Sequence, residues 1–314
     1  MPQCLISFGA NLGSRDSSIA TALRWIESAP SVENFRTSRL FESPAIGGPS
    51  GQSSFLNGVA AFDTTSRARE VLEWLQDLET RLGRQRGERW AARSIDLDVV
   101  LHGTLIGGAT DLTVPHPRYT ARRFVLRPAC DVAPHFRDPR FGWTIQQLSD
   151  HLDLGNASMA LSGGDECLRR ELGQRLETEH GIRVFHSAPM PRPMTLVGTA
   201  PSPDQVVGCP PQTTIKVDDD SPWMSTFVPA MSVVADETAS QACIPRLIAR
   251  VQRMKVEERW PAPHRMWPSS LNWPEYRLEV DDVAWAAKEI SSALASMRCS
   301  LEPMADDDQW WRKK

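Results

Sequence analysis

Between Leu78 and His116 the chain carries arginine-rich sequence around a doublet of aspartates. It reads Gly83-Arg84-Gln85-Arg86-Gly87-Glu88-Arg89-Trp90-Ala91-Ala92-Arg93, then Ser94-Ile95-Asp96-Leu97-Asp98-Val99-Val100-Leu101. Ile95, Leu97, Val99 and Leu101 alternate with Ser94, Asp96, Asp98 and Val100, which is the period of a strand, so Asp96 and Asp98 share one face. Two carboxylates one strand repeat apart suit joint binding of Mg²⁺, a hard cation that takes a few carboxylate oxygens plus substrate phosphates. Arg84, Arg86, Arg89 and Arg93 suit the remaining phosphate charge. The chemistry such a set performs is phosphoryl transfer. The competing reading is a solvated sheet face whose surface ion pairs contribute little.

The neighbouring segments weigh against that competing reading. Phe8-Gly9-Ala10-Asn11-Leu12-Gly13, Glu42-Ser43-Pro44-Ala45-Ile46-Gly47 and Phe55-Leu56-Asn57 lie upstream. Val114-Pro115-His116-Pro117-Arg118 and Arg122-Arg123-Phe124-Val125-Leu126 lie downstream. In this order and spacing the segments resemble the 6-hydroxymethyl-7,8-dihydropterin pyrophosphokinase family of folate biosynthesis. The likeness runs from about Cys4 to about Leu152, with Arg-Trp-x-x-Arg-Ser-Ile-Asp-Leu-Asp followed by Val-Pro-His-Pro-Arg as its most specific part.

The resemblance implies Mg-dependent transfer of the β and γ phosphates of ATP to the hydroxymethyl oxygen of a dihydropterin, with AMP leaving. It implies Asp96 and Asp98 as metal ligands and Arg84, Arg86 and Arg93 as the catalytic clamp on the phosphates. ATP contacts are implied at Glu79, Trp90, Arg93, Val99, Thr113, His116 and Arg122. Pterin contacts are implied at Ser43, Pro44, Ile46, Phe55, Asn57, Trp90, Asp96 and Phe124. Read on their own, Phe55 and Phe124 fit core packing equally well, and His116 between two prolines fits a turn. Asn57 inside an apolar strand is harder to explain structurally, because a buried amide needs partners. Ala91-Ala92 stands where many members have Gly-Pro, and Ala45 where a second proline is common.

The elements that must position these groups follow from periodicity. Leu5 to Phe8, Phe35 to Glu42, Ser54 to Thr64 and Asp96 to His102 read as strands. Ser14 to Ser28 reads as a helix, and Val71, Leu72, Leu75, Leu78 and Leu82 give Arg67 to Leu82 an apolar stripe. Strand, helix, strand, strand, helix, strand predicts an α+β ferredoxin-like sandwich. The expected domains are 1–154 for this unit, 155–303 for a three-layer α/β domain, and 304–314 as a loose tail.

In the second half, Ser158 to Leu161, Ile182 to Phe185, Thr213 to Val217 and Arg277 to Val280 are expected as strands. Cys167 to about Glu179, Ile244 to Val256 and Val283 to Met297 are expected as helices, and Pro189 to Pro211 as a loop. The strand, Gly163-Gly164, helix outline suggests a phosphate loop, but Asp165-Glu166 stand where a lysine is needed, so a degenerate P-loop kinase-like domain without nucleotide is the reading. Residues after about Asn156 are accordingly expected to be dispensable for the transfer.

With a net charge of −4 the chain has no global attraction to nucleic acid or anionic membrane. Six scattered cysteines without a CxxC pair favour reduced thiols over zinc or a disulfide scaffold. With no signal-like N-terminus and no long apolar run, a cytoplasmic protein with small-molecule partners is expected. The sequence leaves the oligomeric state open. It also leaves open two alternatives: a pterin- or ATP-binding pseudoenzyme, and a bifunctional enzyme with a second activity in its C-terminal half.

Overall fold

The computed structural model describes residues 1–84, 92–109, 111–186, 220–229, 244–253, 273–304 and 307–313. The chain begins with β1 (Gln3–Ala10), α1 (Arg15–Glu27), β2 (Val32–Thr37), β3 (Phe41–Ser43), β4 (Phe55–Thr64), α2 (Ala68–Arg81) and β5 (Asp96–His102). The stretch expected as one strand from Phe35 to Glu42 is two. β2 pairs with the far end of β4 and β3 with its start, opposite Phe55 to Asn57. Ser38 lies at the break, where its side chain accepts the Val59 N–H at 3.0 Å in place of a ladder carbonyl. β1 lies between β4 and β5, antiparallel to both, with Gly9 opposite Asp96 and Ser7 opposite Asp98.

A hairpin, β6 (Gly107–Ala109) and β7 (Leu112–Val114), leads through a cis Val114–Pro115 bond to α3 (Arg123–Val132) and α4 (Ile145–Asp153). The sheet is covered on both faces. Ile6, Phe8, Phe62, Leu97 and Val99 pack with Ile19, Leu23 and Ile26 of α1 and Val71, Leu75 and Leu78 of α2. Leu5, Val59, Ala61 and Val100 pack instead with Val125, Leu126 and Ala129 of α3 and with α4. A register shift between Leu5 and Ile6 against β5 makes Val100 the extra residue and leaves adjacent Val100 and Leu101 in the same core, where strict alternation would part them.

The second half contains β8 (Ser158–Ser162), α5 (Glu166–His180), β9 (Arg183–Phe185), β10 (Trp223–Ser225), β11 (Leu247–Arg253), β12 (Glu275–Val280) and α6 (Val283–Met297), then β13 (Glu302–Pro303). Among the described residues β8 to β12 form a sheet of five parallel strands, in the order β12-β11-β8-β10-β9. Three expectations need correcting. The segment Ile244 to Val256, read as a helix, holds β11. Its apolar run is a parallel strand buried between two neighbours, a pattern that periodicity alone does not separate from a buried helix. The expected 155–303 unit shares its core with the first half. Met159, Leu161, Leu168, Leu247 and Leu294 share one continuous cluster with α3 and α4 of the first half.

The third correction concerns the C-terminal tail, which is docked. Trp310 and Trp311 are buried against the first core, and Trp311 Nε1 donates to Thr37 Oγ1 at 3.0 Å. β13 pairs with β3, so the chain returns from α6 to the edge of the first sheet. α5 and α6 pack on each other, which puts both on one side of the parallel sheet. The expected strand at Thr213 to Val217 and loop at Pro189 to Pro211 lie outside the described residues. No helix among the described residues is long and apolar enough to cross a membrane.

The halves are joined by polar contacts as well. Arg277 N donates to the Pro117 carbonyl at 3.0 Å and Thr120 Oγ1 to the Glu275 carbonyl at 2.7 Å. Beside them Asp138 accepts from Tyr119 at 2.8 Å and from Arg140 at 2.5 Å. These contacts and the shared core tie the residues after Asn156 to the first half.

Candidate active site

One cavity of about 360 Å³ opens where β1, β5, the Ser43 to Gly47 segment, the start of α3 and helix α6 converge. Asp96 and Asp98 project into it from alternate positions of β5, as their spacing predicted. Asp96 is held between two guanidinium groups, Arg84 at 2.8 Å and Arg93 at 2.6 Å. Asp98 is held more loosely, with Arg122 at 3.5 Å and His116 at 3.9 Å.

Arg93 owes its position to Asn11, whose Oδ1 accepts the Arg93 N–H at 2.7 Å and whose own N–H donates to the Arg93 carbonyl at 3.0 Å. The sequence reading quoted Asn11 only as part of a segment and gave it no role. Its signal was present, since an asparagine at the end of an apolar strand is placed to bond the backbone of a neighbouring loop.

Glu79 lies beneath the doublet, on the last turns of α2. Its Oε1 accepts the Leu97 N–H at 2.7 Å and also binds Arg84. Burial pushes its carboxyl up to about 7, against the pull of the Arg84 guanidinium and the Leu97 N–H. Glu79 therefore ties α2 to the Asp-Leu-Asp strand and orients Arg84. It does not line the cavity, and neither do Val99, whose side chain is in the core, Thr113 on β7, or His116.

His116 is half-buried beside Asp98. Burial, with Arg122 and Arg118 nearby, holds its pKa well below the usual value, so the ring is neutral. Its Nδ1 accepts the Arg118 N–H at 3.1 Å, which leaves the proton on Nε2, the nitrogen facing Asp98. His116 is thus a neutral hydrogen-bond donor.

The opposite end of the cavity is lined by Ser43, Pro44, Ile46, Phe55, Asn57 and Phe124, all expected as substrate contacts. Asn57 is buried and donates to Ser43 Oγ at 2.9 Å. Gly9 on β1 gives it room, because a Cβ there would stand 2.9 Å from Asn57 Oδ1. Arg122 stacks on Phe124, 5.8 Å from the ring centroid, joining the cationic and aromatic parts. Arg86, Arg89 and Trp90 lie outside the described residues.

Helix α6 was not anticipated here. Trp285, Glu289, Ser292, Ala293 and Ser296, with Tyr276 of β12, line the same cavity. No sequence signal marked them, because α6 is amphipathic in the ordinary way and reads as a packing helix.

The arrangement offers a small planar polar molecule the Phe55 and Phe124 side chains and the Asn57 amide, and an anionic group beside it the Arg93 and Arg122 guanidinium groups. Among the described residues no three of His, Cys, Asp and Glu form a metal cluster. The two aspartates therefore suit a cation whose remaining ligands come from substrate oxygens.

Comparison with known proteins agrees with this chemistry. Residues 5–134 match the sequence model of the 7,8-dihydro-6-hydroxymethylpterin-pyrophosphokinase family. A 2-amino-4-hydroxy-6-hydroxymethyldihydropteridine pyrophosphokinase of Synechocystis is 33% identical over 175 residues, covering 56% of this chain and 86% of that protein. The Pseudomonas aeruginosa protein of the same name is 39% identical over 134 residues, covering 43% of this chain and 82% of that protein. Among solved structures, an HPPK-DHPS in complex with substrates aligns with a TM-score of 0.37 at 12% identity, over 48% of this chain. The present chain spans 43% of that one.

Proposed function

Because the chain belongs to the 7,8-dihydro-6-hydroxymethylpterin-pyrophosphokinase family, and so transfers pyrophosphate from ATP to 6-hydroxymethyl-7,8-dihydropterin in folate biosynthesis, we propose that the cavity described above is where the transfer takes place. The observation that carries this reading is that one cavity holds both the Asp96, Asp98, Arg93 and Arg122 group and the Phe55, Asn57 and Phe124 group. A primary alcohol on a bicycle seated between the phenyl rings is thereby brought next to the anion site.

In the reaction the hydroxymethyl oxygen forms a bond to the β-phosphorus. The bond from that phosphorus to the α-phosphate oxygen breaks, AMP leaves with the electron pair, and the hydroxyl proton is released. Little covalent chemistry falls to the protein, so placement and charge stabilisation dominate. Asp96 and Asp98 fit Mg²⁺, which would neutralise phosphate charge and hold the attacking and leaving oxygens. Without phosphate, Arg84 and Arg93 neutralise Asp96, and with ATP the same guanidinium groups turn to its oxygens. His116 stays neutral and offers an Nε2 hydrogen bond on the Asp98 side of the site. Phe55 and Phe124 sandwich the bicycle, and Asn57, held by Ser43, reads its edge.

In the second half we read a kinase-like sheet that binds no nucleotide. The turn from β8 to α5 uses Gly163 and Gly164 with φ of 77° and 58°, Asp165 caps the Leu168 N–H at 2.7 Å, and Arg169 fastens both glycine carbonyls at 2.8 and 2.9 Å. A carboxylate at that position repels phosphate.

The proposal is tested by following AMP release from ATP with 6-hydroxymethyl-7,8-dihydropterin. Asp98→Ala should keep the fold and the pterin affinity and lose turnover. Wild-type turnover in that variant would remove the cavity from the reaction.

A further inference from the structure

Helix α6 belongs to the half of the chain outside the matched residues 5–134, yet one of its faces closes the substrate cavity. Trp285, Glu289, Ser292, Ala293 and Ser296 are spaced four, three, one and three apart, the pattern of a single helix face. The cavity's other lining residues include every described position expected to touch the pterin. Glu79, Val99, Thr113 and His116, four of the expected ATP contacts, do not line it. The α6 face is therefore a wall of the same cavity that holds every described pterin position, together with Arg93 and Arg122 of the expected ATP contacts.

Glu289 is the one ionisable group on this wall. Its side chain is 7% exposed, and Oε1 is doubly engaged, accepting from Tyr276 Oη at 3.0 Å and pairing with Arg118 at 2.9 Å. Arg118 is fixed in turn over the Trp285 ring, 5.5 Å from its centroid. Oε2 is buried and has no hydrogen-bond partner. A carboxylate so oriented has one acceptor atom committed to the fold and one left over, and a buried acceptor without a donor costs free energy until a donor arrives. The bicycle that Asn57 contacts on one side carries ring N–H and exocyclic amine donors.

The geometry points to Glu289 as a substrate-recognition residue supplied by the C-terminal half: its carboxylate, which lines the cavity and has one oxygen without a partner, accepts a hydrogen bond from an N–H of the pterin. This rests on the placement of the pterin in the cavity proposed above. It also means that the C-terminal half is part of the binding site for the first half's reaction.

The test is fluorescence titration of the full-length protein with 6-hydroxymethyl-7,8-dihydropterin, with ATP binding and thermal midpoint measured in parallel. Glu289→Gln keeps the side-chain shape and an oxygen for Tyr276 but places an N–H where Oε2 stood. The expected result is a pterin Kd raised about tenfold or more, with ATP affinity within about twofold of wild type. Unchanged pterin affinity in a folded Glu289→Gln protein overturns the inference. So does equal weakening of both ligands, the signature of a merely structural role through Arg118. Should Glu289→Gln fail to fold, Glu289→Asp carries the same test, since it retains the charge and withdraws the carboxylate by one methylene. If Asn57→Ala in the same titration leaves pterin binding intact, the pterin placement itself fails, and that outcome is separate from a failure confined to Glu289.

Discussion

The charged residues around the cavity and those at the junction of the two halves form similar clusters in opposite settings. At the cavity Asp98 keeps 36% of its side-chain exposure, with the Arg122 guanidinium 3.5 Å and the neutral His116 ring 3.9 Å away. At the junction the Asp138 and Arg140 side chains are both 0% exposed, bonded to each other and to Tyr119, with Glu275 and Arg277 close behind. Loosely held, partly solvated charges can exchange a protein partner for a phosphate or a cation. Sealed charges cannot, because separating them in a low-dielectric interior costs several kcal/mol. Composition alone would not have told the two clusters apart.

That contrast can be broken most sharply at β5. Asp96→Ala or Asp98→Ala should lower kcat by about a hundredfold or more, the loss expected when several kcal/mol of charge stabilisation is removed. Thermal unfolding should be nearly unchanged, and a large drop in midpoint would place these aspartates with the structural cluster. Asp138→Ala should show the reverse. Breaking a buried pair strands Arg140, so denaturant unfolding should show a loss of about 3–5 kcal/mol, with the catalytic constants of the folded fraction retained. A loss below about 1 kcal/mol would mean the junction is wet.

The junction also carries a pH signature. His151 is buried, bonds the Arg246 carbonyl at 2.9 Å, and has its pKa pushed down to about 4, chiefly by burial and then by Arg246. The unfolded chain binds the proton more readily, so this contribution is fully present above about pH 6.5 and is lost as pH falls towards about 4. Stability should fall by up to about 3 kcal/mol across that window, and His151→Phe should flatten the slope. An unchanged slope would sink the assignment.

The smallest effect is expected at Asn57. Asn57→Ala should weaken pterin binding by about 1–3 kcal/mol while leaving ATP binding nearly intact. Equal weakening of both would make Asn57 a structural residue whose work is to hold Ser43.

What the sequence by itself determined is local in origin. The alternation around Asp96 and Asp98, the apolar stripe of α2, the span of α6 and the order of the first elements, apart from the break at Ser38, are periodicities within a few turns or a few strand residues. Neighbouring side chains decide them, and they survive any arrangement of the whole. The family resemblance assigned Asn57, Phe55 and Phe124 to the pterin and Arg93 and Arg122 to ATP, and all five line one cavity. What only the tertiary structure decided depends on partners far apart in the chain. Trp311 meets Thr37, Thr120 meets Glu275, and Glu289 meets Arg118, and no local pattern encodes such a meeting. Leu247–Arg253 is a strand because parallel neighbours on both sides satisfy its backbone, although its composition would have served a helix equally. The same physics hid the α6 wall. A helix face built to be buried looks alike in sequence whether it covers a core or a substrate.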